Sequence, residues 1–400
     1  MYSADIYKED FLKIKKLVKL RDKKLAGRLE ECNRQLLALK RECEGCQVLN
    51  SVSHVYMKLM SLMTELERFL EECRDEEIHK ETLDLYFTVR MFLDIHDRLD
   101  ENYMIYSELE DTGRFKLCLF CVNPANCLKE FLDKGNSTVF FSATLLPIHY
   151  YRKLLSTSKE DYAIYAESPF DPKNRRLLLG MDVSTKYTRR CGEMYRRYAR
   201  YLIRVAQAKA GNYMAFFPSY QFMEEVYEEF LGILREGEAG DEIEYVMQSR
   251  HMTEEAREIF LENFEETRRN SLIGFCVMGG IFSEGIDLVQ DRLIGAVIVG
   301  TGLPQVCRER ELLKSYFDAL GYRGFDYAYL YPGMNKVLQS AGRVIRTDED
   351  RGVILLLDER FGDGRYQETF PREWREYGVC SVDMVAGQME EFWKKQSETE

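Results

Sequence analysis

The sequence predicts an α/β protein, a doubly wound and mostly parallel sheet preceded by an all-helical domain. Three observations carry this. From Leu177 onward, short apolar runs alternate with longer stretches of helical spacing, the pattern of a parallel sheet covered by helices on both faces. Before position 104, apolar residues recur at helical spacing, as in Val52, Val55, Leu59, Leu62, Leu66, Phe69 and Leu70. No proline precedes Pro124, so nothing in that block forces a helix to break.

The helical block continues through Leu85, Val89, Phe92 and Leu99, with connections at Glu42–Val48 and Arg74–His79. At Gly113 the pattern changes. Phe115–Val122 reads as a strand, Asn126–Leu132 as a short helix and Thr138–Phe141 as a second strand. The later strands are expected at Leu177–Val183, Tyr213–Phe217, Ile243–Met247, Leu272–Val277, Leu293–Val299 and Val353–Leu357. Helices are expected at Arg190–Ala210, Tyr220–Leu234, Glu254–Glu266, Glu309–Leu320 and Met334–Val344. Three regions follow: residues 1–104, 105–150 and 151–400.

Four hundred residues with 45% hydrophobic content suffice for two or three packed domains. Apolar runs such as Leu293–Gly300 are too short to cross a bilayer, and the N-terminus has acids where a signal peptide needs a basic then apolar stretch. Eleven scattered cysteines lack the spacing of a secreted disulfide framework. The expectation is a soluble cytoplasmic chain with no membrane partner. The net charge of −12 argues against nonspecific coating of nucleic acid. One stretch departs from that average. Lys186, Arg189, Arg190, Arg196, Arg197, Arg200, Arg204 and Lys209 stand against the single acid Glu193. Such a stretch either neutralises phosphates or forms a solvated face that pairs with acids elsewhere.

Four polar signatures fall at strand ends, where open α/β sheets bind ligands. They are Ser142-Ala143-Thr144-Leu145, then Phe216-Phe217-Pro218-Ser219-Tyr220, then Gly279-Gly280-Ile281-Phe282-Ser283-Glu284-Gly285-Ile286-Asp287, and last Gln339-Ser340-Ala341-Gly342-Arg343-Val344-Ile345-Arg346. Each alone has a plain alternative, a small-residue turn, an N-cap at Ser219, a tight glycine turn or a solvated arginine face. Their order at successive strand ends is the informative feature. In that order they resemble motifs III, IV, V and VI of superfamily two helicases of the DinG/XPD type, over Phe115 to about Phe361.

The resemblance implies a RecA-like second motor domain over residues 151–400, a helical arch over 1–104 and a remnant of the first motor domain over 105–150. Arg343 and Arg346, three apart on what reads as a helix face, would be arginine fingers for the γ-phosphate of ATP, with Gln339 one turn earlier and Gly342 allowing close approach. Glu284, Gly285 and Asp287 would couple nucleotide to DNA, and Ser142 and Thr144 would link ATP state to domain movement. Ser219, Tyr220 and Ser283 would hold single-stranded DNA, with Arg196, Arg197 and Arg200 as a basic flank.

No GxxxxGK[ST] loop and no DEAH box occurs in the sequence. ATP and Mg²⁺ would therefore be held mainly by a half lying before these residues, and the chain reads as a C-terminal part. The family's iron–sulfur cysteines also precede the DEAH box, so a cluster is expected only in that half, and no metal is expected at Cys43 and Cys46. Taken alone, the chain is expected to bind DNA weakly and to hydrolyse nothing. A non-catalytic adaptor with a helicase-like domain is the rival reading. Gln339, Arg343 and Arg346 argue against it, since an adaptor has no use for arginines aimed at a γ-phosphate.

Overall fold

The computed structural model describes residues 2–158, 160–237, 243–266, 268–283 and 288–398. They form two compact units. One comprises Met1–Phe140 with Tyr151–Asp161, the other Phe141–Tyr150 with Tyr162–Glu400.

The first unit is built on four helices, α1 (Lys8–Val18), α2 (Lys23–Glu42), α3 (Ser53–Glu72) and α4 (Glu76–His96). Asp22 and Asp75 begin α2 and α4 by accepting hydrogen bonds from first-turn amides, which satisfies donors that the helix itself leaves open. The apolar stripes read from the sequence meet in one core that includes Phe11, Leu29, Leu62 and Phe92.

The unit is not all-helical. Strands β1 (Ala4–Tyr7), β2 (Cys46–Leu49), β3 (Tyr103–Leu109) and β4 (Phe115–Cys121) form an antiparallel sheet in the order β1-β4-β3-β2. Phe115, Leu117 and Leu119 of β4 pack into the helical core, and the strand's ladder is completed by β1 and β3. Hence β4 and the following helix α5 (Ala125–Leu132) belong to the helical unit. The expected boundary at 104 is displaced accordingly. Strands β1 and β2 have four residues each, too few for a period to register. Thr138–Phe141, expected as a strand, is not one. It has β-prone side chains but no neighbouring ladder among the described residues, and Val139 and Phe141 are 79% and 89% exposed. A helix α6 (Ile148–Leu155) follows.

The second unit is the expected parallel sheet. Its strands are β5 (Arg175–Gly180), β6 (Asn212–Phe217), β7 (Glu244–Met247), β8 (Leu272–Val277), β9 (Gly295–Val299), β10 (Gly352–Leu357) and β11 (Gly378–Cys380), in the order β11-β5-β10-β9-β6-β8-β7. Every pairing is parallel. All six residues of β6 and of β10 are buried, as a strand covered on both faces requires. The helices are α7 (Gly192–Ala208), α8 (Tyr220–Arg235), α9 (Glu254–Glu262), α10 (Arg308–Ala319), α11 (Tyr331–Ala341), α12 (Gly364–Gln367) and α13 (Val385–Ser397). A π-helical stretch, Asp326–Leu330, runs directly into α11. The sequence reading missed it, along with β11 and α13.

Candidate functional site

Strands β6 and β8 are neighbours in register, Phe217 opposite Val277, so motifs IV and V leave the sheet side by side. Ser219 is the N-cap of α8, its hydroxyl accepting from the Phe222 amide at 3.2 Å. The Tyr220 hydroxyl donates to the Ser249 carbonyl (3.3 Å) and accepts from Gln248 Nε2 (2.8 Å), and the Arg250 guanidinium lies 5.5 Å from its ring centre. Gln248, just past β7, also accepts from the Val277 amide at 2.9 Å through Oε1. One buried side chain therefore stitches motif IV to motif V. In the sequence, Gln248 is only a polar residue at the end of a strand.

In motif V, Gly279 has φ +71, a left-handed conformation that disfavours any side chain. A Cβ there would lie 3.2 Å from the stem of Lys336 on α11. Burial lowers the Lys336 ammonium's pKa, and the nearby Arg310 charge adds to that. Ser283 is fully buried. Its Oγ accepts from the Gly279 amide at 2.8 Å and lies 3.4 Å from the Val277 carbonyl oxygen. The hydroxyl expected to meet a DNA phosphate is thus committed to closing the turn. Glu284, Gly285 and Asp287 lie outside the described residues.

Motif VI differs from expectation in one respect. Helix α11 carries the half-buried Gln339 but ends at Ala341, with Gly342 as its C-cap. Arg343 sits in the turn beyond, and Arg346 in an irregular segment. They do not share a helix face, because the chain leaves the helix at Gly342 before either is reached. What positions them is tertiary. The Arg343 Nε and Nη2 atoms both donate to the Ser283 carbonyl, at 3.1 and 2.6 Å. The backbone amides of Arg346 and Thr347 donate to Asp350 Oδ2, at 2.6 Å each, while Oδ1 accepts from the Gln290 amide at 2.7 Å. Gln290 has φ 53, unusual for a residue with a side chain. Asp350, 2% exposed, thereby ties the arginine segment to the chain that follows motif V. No sequence motif marks Asp350.

Motif III precedes an aromatic cluster. The Ser142 and Thr144 hydroxyls are 3.2 Å apart, and the Thr144 amide donates to Ser142 Oγ. Five residues on, His149 Nε2 lies 3.2 Å from the Tyr331 hydroxyl, and Tyr150 packs against Tyr327 and Tyr331 at the start of α11. The segment following motif III thus contacts the helix that leads into motif VI.

The basic stretch divides. Arg196 is ion-paired with Glu236 and, at 3.7 Å, with Glu229. Arg197 donates to the Asp182 carbonyl at 3.0 Å and lies 3.8 Å from Glu193. Arg200 makes no ion pair among the described residues. No group of three or more His, Cys, Asp or Glu side chains among the described residues is placed to hold a metal, so no residue here is assigned to an iron–sulfur cluster. No helix among the described residues is long and apolar enough to cross a membrane.

The seven-stranded parallel sheet with its flanking helices is a RecA-like fold. Residues 202–377 match the family model of the helicase C-terminal domain, and the chain is similar to helicases of the DinG/XPD type. It is 28% identical over 331 residues to a probable ATP-dependent helicase of Methanocaldococcus jannaschii, covering 79% of this chain and 48% of that protein. It is 26% identical to the XPD helicase subunit of general transcription and DNA repair factor IIH from Schizosaccharomyces pombe (64% of this chain, 34% of that protein). With the ATP-dependent DNA helicase XPD of Sulfolobus acidocaldarius the identity is again 26% (57% and 40%). The chain spans about half the length of these curated relatives, or less. Among solved structures, S. tokodaii Xpd4 superposes with a TM-score of 0.58 at 15% identity, covering 95% of this chain and 72% of that one. An apo XPD structure gives 0.52 at 19%, covering 95% and 73%. These two likenesses concern the fold alone.

Proposed function

We propose that this chain supplies the arginine fingers and DNA contacts of an ATP-dependent DNA helicase that moves along single-stranded DNA and separates duplex. The observation that carries this reading is the interlock of motifs V and VI, in which the Ser283 carbonyl holds Arg343 and Asp350 holds the Arg346 segment. A phosphoryl transfer asks the protein for positioning and positive charge more than for covalent chemistry. Gln339, Arg343 and Arg346 would meet the γ-phosphate of an ATP whose β- and γ-phosphates and Mg²⁺ rest on a phosphate loop of another motor domain. Glu284, Gly285 and Asp287 would couple that event to the strand, and Ser142 and Thr144 to domain movement. Similarity to a probable ATP-dependent helicase of Methanocaldococcus and to the ATP-dependent DNA helicase XPD of Sulfolobus supports it.

Two measurements test the reading. The purified chain is expected to show no DNA-stimulated ATP hydrolysis, because its sequence holds no loop that cradles the β- and γ-phosphates. Turnover by this polypeptide alone that vanishes in Arg346→Ala would refute the division of labour. Tyr220→Ala is expected to weaken binding of an oligothymidine by about 1–3 kcal/mol, the usual worth of one stacked base, as read by fluorescence anisotropy. An unchanged affinity would remove Tyr220 from the strand path and leave it the role of holding Gln248.

A further inference from the structure

We infer that the cleft beside α7 is a phosphate site that takes the backbone of a single-stranded nucleic acid beyond motif IV, an inference that rests on the nucleic-acid reading above. The cleft has a volume of about 450 Å³ and is lined by Asp182, Arg197, Arg200, Arg204, Val382 and Asp383. Asp182 lies two residues past the end of β5, and Val382 two past the end of β11. It therefore opens at the carboxyl ends of the strands, the edge that also carries motifs IV and V and where such sheets take ligands. Strands β10 and β9 separate β5 from β6. At about 4.8 Å per step, the cleft is roughly 14 Å along that edge from motif IV, a reach of a few nucleotides.

The cleft's own acid is already engaged. The Asp182 carboxylate accepts from the Tyr201 hydroxyl and from the Val382 amide (3.4 Å), while its carbonyl fixes Arg197. Arg200 and Arg204 lie three and seven residues beyond Arg197, on one face of α7. Arg204 donates to Gln207 Oε1 at 3.3 Å, and neither it nor Arg200 is ion-paired among the described residues. Beside Arg197, two guanidiniums outside any ion pair among the described residues thus share a cleft in which one carboxylate is hydrogen-bonded internally and the other, Asp383, is exposed. Guanidinium forks match phosphate oxygens in shape as well as charge. Arg196 is ion-paired with Glu236 and Glu229, whereas the Arg200 charge acts on Glu236 without an ion pair.

The test is a salt titration of oligothymidine binding to the full chain. Arg200→Gln/Arg204→Gln is expected to flatten the slope of log affinity against log salt by about 1.4, since each lost single-strand phosphate contact removes about 0.7. Arg200→Lys/Arg204→Lys should keep the slope because the charges remain, and Arg196→Gln should leave it unchanged. A wild-type slope in the glutamine pair, with affinity still sensitive to Tyr220→Ala, overturns the cleft while the function stands. No binding of oligothymidine by the wild-type chain at any salt overturns both. Inorganic pyrophosphate that binds the wild-type chain but not the glutamine pair, with the oligothymidine slope unchanged, identifies a free-anion site and overturns the strand assignment.

Discussion

In a motor assembled with a phosphate-loop domain, Arg346→Ala is expected to lower DNA-stimulated ATP turnover by about 10³-fold or more while nucleotide affinity changes little. An arginine acting on the transferring phosphoryl matters in the transition state, where charge spreads onto the equatorial oxygens, and much less in the ground state. Steady-state turnover and nucleotide dissociation constants, measured together, separate the two. Arg343→Ala is expected to match it, with an added signature. Its guanidinium also closes motif V onto motif VI through the Ser283 carbonyl, so its loss should loosen the coupling between DNA and ATP turnover. A fall below tenfold in both variants would remove the finger role. Asp350→Asn addresses the same geometry from behind. It keeps the side chain's size but weakens the acceptor that holds the Arg346 and Thr347 amides.

The largest stability effect is expected at Asp358 and Arg360. Asp358, fully buried past the end of β10, accepts from the Arg360 Nε and Nη2 atoms at 2.7 and 2.8 Å and from the Thr185 amide and hydroxyl at 2.9 and 2.8 Å. Arg360→Met would leave that carboxylate buried without its cation, at a cost of about 3–5 kcal/mol read from urea unfolding. Asp358→Asn/Arg360→Met should recover much of the loss, since no uncompensated charge remains. Burial alone would raise the Asp358 pKa, but the Arg360 hydrogen bond and charge together with the Thr185 amide outweigh it and hold it below the usual carboxylate range. A depressed folded-state pKa means the contribution is complete above the unfolded carboxylate pKa of about 4 and is lost as pH falls below it. The wild-type chain should therefore lose more stability than the double variant between neutral pH and pH 3. Parallel pH curves would show that the pair contributes nothing.

The parallel sheet was legible because each of its main strands is an apolar run bounded by polar turns, and because strands covered on both faces need no alternation. Of the first unit's sheet, only β4 was legible, as Phe115–Val122. Its strands β1 and β2 are four residues long, and β3 was absorbed into the end of a helical pattern. The motifs were legible as words but not as geometry. QSAGRVIR looks helical throughout, and only the coordinates place the helix end before its arginines. Gln248, Lys336 and Asp350 act through tertiary contacts to residues 28 to 60 positions away in the chain, which no local pattern reports. Of the two readings of the basic stretch, pairing with acids elsewhere holds for Arg196. Arg200 and Arg204 form no ion pair among the described residues, although Asp182 and Asp383 line the same cleft.

The direction of every strand in the second unit also says where the molecule tolerates alteration. Motifs IV and V depart from the carboxyl ends of β6 and β8, so the helix that follows β6 must return to the opposite edge before β7 begins. Arg235 at the end of α8 and Glu244 at the start of β7 therefore belong to the edge remote from both motifs. A dye, an affinity tag or a tether to a surface placed at Arg235 would leave the edge that carries motifs IV and V clear.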